Sequence, residues 1–156
     1  QGAIEGYDAT DPAHPTFRVN GITVHVDAFT ELVPDSGEPL DLATLAGPVE
    51  VRGTVHPDGT DVVATEVRKE SDARIVVQGP VSASDEMAGT LAILGITVRI
   101  GPGTELHGMD DGPMSRMDFF AAVAAGPTVV KARGAGPEAL SGGVLDAEEV
   151  EIEGSR

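Results

Sequence analysis

The chain has 156 residues, with 26 acidic side chains against 10 basic and a formal net charge of −16. A field of that sign repels phosphate, so nucleic acid and anionic membrane surfaces are poor partners. With no cysteine, disulfides, zinc–thiolate sites and thiol catalysis are excluded, and no run of 18 apolar residues is present to cross a bilayer as a helix.

In chain order, Ala3–Tyr7 reads as a strand, followed by the proline-bearing loop DATDPAHP. Thr16–Val19 and Ile22–Val26 flank Asn20-Gly21, the strongest short hairpin signal a sequence carries. Ile22, Val24 and Val26 share one strand face, and Thr23 and His25 the other. Leu40–Ala46 has Leu42 and Leu45 at helical spacing, and Gly47-Pro48 stops it, so a one- to two-turn helix is expected there. Val49–Val55 alternates, with Val49, Val51 and Val55 inward. Pro57-Asp58-Gly59 is a turn, and Asp61–Arg68 is the fifth strand.

The order then returns. Arg74–Val81 is a strand, and Gly89–Ile93 with Ile96–Ile100 forms a hairpin whose turn is Leu94-Gly95. Met117–Ala125 is a helix carrying Phe119, Phe120 and Val123, and Gly126-Pro127 ends it. Thr128–Gly134 and Leu145–Ile152 close the set, with GAGPEALSGG between them as a hairpin loop. Local identity is high: GITVHVDAFTEL at 21–32 reappears as GITVRIGPGTEL at 95–106. Ile4-Glu5-Gly6 aligns with Val77-Gln78-Gly79, Arg52-Gly53 with Arg133-Gly134, and Ala64–Val67 with Ala147–Val150. A period of about 75 residues exceeds a solenoid repeat and implies two copies of one small domain. The predicted architecture is all-β: two tandem five-stranded OB-like barrels, residues 1–71 and 72–156, each with a short helix between strands 3 and 4. Aligning Ala64 with Ala147 sets Val63 against Asp146, so either one copy has a bulge in its last strand or the facing assigned there is wrong.

The run I-E-G, T-F-x-V-N-G-I-T-V-x-V, D-L-A-x-L, V-x-V-x-G-T-V and A-T-E-V resembles an uncharacterised bacterial family of small β-barrel domains found in envelope and secreted proteins, a domain of unknown function. That resemblance implies an extracytoplasmic location (periplasmic, cell-surface or secreted). It carries no catalytic residues. Gln1 fits a processed terminus, a lipid anchor upstream, or an excised segment.

Candidate chemistry is sparse. HGMDDGPMSRM, residues 107–117, holds three of the four methionines. His107, Met109, Met114 and Met117 form a thioether–imidazole set of the kind that selects Cu(I); methionines filling gaps in an aromatic-poor core are the stronger explanation. Asp8, Asp11, Asp35, Glu38, Asp110 and Asp111 offer oxygen ligands for calcium, without a twelve-residue calcium loop. His25 and His56 fall on outward positions of strands taken as neighbours, close enough in that case for the two rings to approach, while Arg99 replaces His25 in the second copy. His14 is a loop residue. There is no G-x-S-x-G elbow and no H-E-x-x-H helix. An OB barrel that binds single strands needs aromatics in a basic groove, and the five aromatics, Tyr7, Phe17, Phe29, Phe119 and Phe120, lack that setting. The expectation is a non-enzymatic binding or spacer module with no cofactor and an unknown protein or small-ligand partner; the alternative is a periplasmic copper-binding protein.

Overall fold

A computed structural model describes residues 1–34 and 39–153. It divides into two compact units, Gln1–Ala73 and Arg74–Arg156.

In the first unit, β1 (Gly2–Asp8), β2 (Thr16–Val19), β3 (Ile22–His25), β4 (Glu31–Val33), β5 (Pro48–Val55) and β6 (Val62–Lys69) form one sheet in the order β3-β2-β1-β5-β6-β4, closed by a β3–β6 pairing. β3 and β4 both run parallel to β6, so they are two pieces of one strand broken at Asp27–Thr30. Counted that way, five strands close a barrel. In the second unit the same strand stays whole as β9 (Ile96–His107). It joins β7 (Ile75–Asp85), β8 (Thr90–Ile93), β10 (Val129–Gly134) and β12 (Val144–Glu153) in the same cyclic order, with β9 parallel to β12 and β10–β12 closing the ring. A two-residue strand, β11 (Leu140–Ser141), hairpins onto β12. Closure removes the free edges of a five-stranded sheet.

The repeated sequence maps onto repeated geometry. Val24 pairs with Val62 as Val98 pairs with Leu145. A bulge, expected in one copy at most, occurs in both: the register slips at Thr65 in β6 and at Glu148 in β12. The threonine of each T-E-L motif braces it. Thr30 Oγ1 donates to the Ala64 carbonyl at 2.8 Å and accepts from the Asp27 N–H at 3.1 Å. Thr104 Oγ1 does the same with Ala147 at 2.7 Å and Gly101 at 2.9 Å. A side-chain hydroxyl thus satisfies backbone groups near the irregularity.

Both hairpin turns place their two central residues at positive φ: Asn20 at 56° and Gly21 at 79°, Leu94 at 51° and Gly95 at 78°. That is the twist-matched turn. The residue under each turn is a glycine. A Cβ on Gly2 would overlap the Asn20 side chain, and one on Gly79 would stand 3.2 Å from Leu94 Cγ.

This pair corrects the alignment of the first strands. Ile4 faces Val19, and Val81 faces Ile93. Ile4 is therefore equivalent to Val81, not Val77, and Gln1-Gly2 matches Gln78-Gly79. One consequence is a shorter seam in the first unit. β1 meets β5 at two positions, Gly2↔Val49 and Ala3↔Pro48, whereas β7 meets β10 at six, from Ile75↔Gly134 to Pro80↔Val129. Val55, expected inward, is 38 % exposed, because β5 runs on past the seam with one side uncovered among the described residues.

The first-unit helix is also corrected. Leu40–Ala46 is a turn: Asp41 accepts from Ala43 N–H at 3.0 Å and its carbonyl from Thr44 N–H. That local side-chain bond competes with helix formation, and seven residues before Gly47-Pro48 are too few to offset nucleation. Leu42 still reaches the core, with Phe17, Val19, Val24, Val26, Val49, Ala64 and Val67. Only the second unit has an α-helix among the described residues, α1 (Arg116–Ala124). Ser115 caps it, its hydroxyl accepting from Asp118 N–H at 3.2 Å and donating to the Asp118 carboxylate at 2.6 Å. Phe119, Phe120 and Val123 are buried, and α1 packs against β7 and β9. The two phenylalanines meet edge to face, their centroids 5.9 Å apart.

Candidate functional site

The loop between β9 and α1 folds tightly. Gly108 N–H donates to Gly112 O at 2.9 Å, Asp111 N–H to Gly108 O at 3.0 Å, and Met114 N–H to Leu106 O at 2.8 Å. Asp111 takes φ 59°, a region aspartate tolerates because its short side chain bonds locally. Asp110 Oδ1 accepts from Gly112 N–H at 3.2 Å. Met114 Sδ lies close over Gly108, 3.1 Å from where a Cβ would stand.

Folded this way, the loop forms one wall of a pocket of about 560 Å³ in the second unit. Met109, Asp110, Pro113 and Met114 come from the loop, Ala122 from α1, Pro127 and Thr128 from the segment entering β10, and Ile152 and Glu153 from the end of β12. The volume lies in the range of small-molecule sites. The walls are mainly apolar, with carboxylates at Asp110 and Glu153. Met109 is 73 % exposed. Glu153 has Lys131 Nζ at 3.7 Å, a distant, solvated pair that contributes little.

Of the four residues singled out for copper, Met109 and Met114 line this pocket; His107 and Met117 are not among its lining residues. His107 Nδ1 faces the Asp111 carbonyl oxygen at 3.1 Å and its carboxylate at 3.5 Å, and Nε2 is 3.9 Å from Glu105. The bond to the Asp111 carbonyl, then the charges of Asp111, Glu149 and Glu105, raise the imidazole above its ordinary value against a smaller opposing effect of desolvation. Met117 is 67 % exposed on α1. Among the described residues, no group of three or more His, Asp or Glu is placed to hold a metal ion.

Of the calcium candidates, Asp8 and Asp11 bond locally. Asp8 accepts from Thr10 N–H and Oγ1, and those bonds hold its carboxyl below the usual range. Asp11 is lowered by its contact with His14, which lies in the loop as expected. Asp35 and Glu38 lie outside the described residues. His25 and His56 do meet, their rings stacked at 5.3 Å and 22°, across β6 rather than on adjacent strands. His25 Nε2 lies 3.0 Å from Asp61 Oδ2 and His56 Nδ1 2.9 Å from Asp58 Oδ2. Arg99, in the place of His25, instead pairs with Asp146 at 2.7 Å.

Pattern reading located the loop but missed Ala122, Pro127, Thr128, Ile152 and Glu153. They come from three later segments, and the one advance signal was Pro127, legible only as a helix stop.

The first unit is of the class of small closed β-barrel domains. Residues 1–68 match a family described as Domain of unknown function (DUF5666), so this part of the chain is similar to an uncharacterised domain family. No curated protein and no solved structure matches the chain.

Proposed function

We propose that the chain is a non-enzymatic, extracytoplasmic binding module of two OB-like barrels, with the Met109/Met114 pocket of the second as its ligand site. The OB-like reading is supported by the strand order 1-2-3-5-4-1 with strands 3 and 5 parallel. The pocket carries the binding reading: a mainly apolar concavity of about 560 Å³ between the loop, α1 and the end of β12. The bacterial envelope or secreted location rests on the family resemblance of the first half alone. The protein has only four methionines, so methionine methyl NMR resolves the site. Adding the neutral apolar dye Nile red shifts Met109 and Met114 and leaves Met87 and Met117 in place; equal shifts at all four, or none, contradict a built pocket.

A copper role keeps one supporting observation, two thioether sulfurs on one wall. Cu(I) titration against a chelator tests it: affinity unchanged in Met109→Ala/Met114→Ala removes that reading.

A further inference from the structure

We infer, given the binding role proposed above, that the Met109/Met114 pocket selects a small amine: an apolar body with a cationic head. The body has its match in Met109, Pro113, Met114 and Ile152, two of them flexible thioethers that mould to varied shapes. The head has its match in the carboxylates. Asp110 and Glu153 are the only charged residues lining the cavity among the described residues, and both are negative. Asp110 uses Oδ1 on Gly112 N–H, and among the described residues no hydrogen bond engages Oδ2. Glu153 is held only by Lys131 at 3.7 Å among the described ion pairs, both side chains about 30 % exposed, so a closer ammonium competes well for it. The charge of the whole chain, −16, adds a long-range pull on cations and a barrier to anions. A carboxylate-bearing or phosphorylated ligand of the same shape would place like charges together at the rim.

The full-length chain, labelled at its methionine methyls, is titrated with hexylammonium, hexan-1-ol and hexanoate at low salt. Hexylammonium binds tightest, hexanol about fivefold more weakly, and hexanoate weakest, all three through Met109 and Met114. Glu153→Gln lowers the affinity for hexylammonium and so narrows its margin over hexanol. Glu148→Gln removes the same charge from an exposed position outside the cavity and changes neither. Equal affinities for the three probes, or an equal loss in both variants, overturn the amine preference while leaving a neutral apolar site. The absence of any shift at Met109 and Met114 overturns the binding reading as well.

Discussion

Leu94→Asn should destabilise the second unit, although it installs the favoured turn residue. Leu94 holds φ 51°, a conformation that costs a leucine about 1–2 kcal/mol and that asparagine tolerates. The side chain is 8 % exposed and covers Gly79, its Cγ 3.2 Å from the position a Cβ would take there. Burying a leucine to that degree contributes about 1.5–3 kcal/mol. Asparagine recovers roughly 1 kcal/mol of backbone strain and forfeits about 2 kcal/mol of burial, for a net loss near 1 kcal/mol. The reciprocal change in the first unit has no such offset. Asn20→Leu adds the left-handed cost and removes the bond from Asn20 Nδ2 to Gln1 O at 2.8 Å, a loss of about 2 kcal/mol. Urea titration of the full chain followed by amide NMR separates the units, through Val98 and Val150 for one and Val24 and Val67 for the other. A Leu94→Asn protein as stable as the parent, or more so, would refute the idea that burial rather than turn chemistry holds this position.

Three further outcomes are expected. Thr30→Val and Thr104→Val each cost about 1–2 kcal/mol in their own unit, since each leaves a backbone donor and acceptor without the hydroxyl, while the serine variants stay near wild type in the same urea titrations. Amide hydrogen exchange at Val51–Val55 runs faster than at Ala132–Gly134, because the β1–β5 seam has two paired positions and the β7–β10 seam six. His107 titrates above the ordinary imidazole value of about 6.5, and Asp111→Asn moves it down. A raised folded value stabilises below the unfolded pKa and loses that contribution as pH rises through the folded one. Histidine ring NMR across pH 5–9 checks the titration, and urea midpoints check the linkage.

Much of the fold was legible because its signals are local. Asn20-Gly21 announced its hairpin, alternation marked the strands, and the repeated T-E-L carried the brace for both bulges. The glycine of Ile4-Glu5-Gly6 matches that of Val77-Gln78-Gly79 in sequence but not in position. The glycines that correspond are Gly2 and Gly79, set by the room each turn side chain needs from another strand. The helix expected at Leu40–Ala46 failed for a competing local reason, the Asp41 turn. The pocket was legible only in its loop. Its other walls, Ala122, Thr128, Ile152 and Glu153, are brought there by barrel closure, and no spacing in the sequence encodes that meeting.

Intermolecular NOEs from the hexyl chain of bound hexylammonium test the binding role most directly. Contacts to the methyls of Met109, Met114, Ala122 and Ile152 are predicted. Contacts confined to the exposed side chains Phe29, Met87 and Met117 would contradict it.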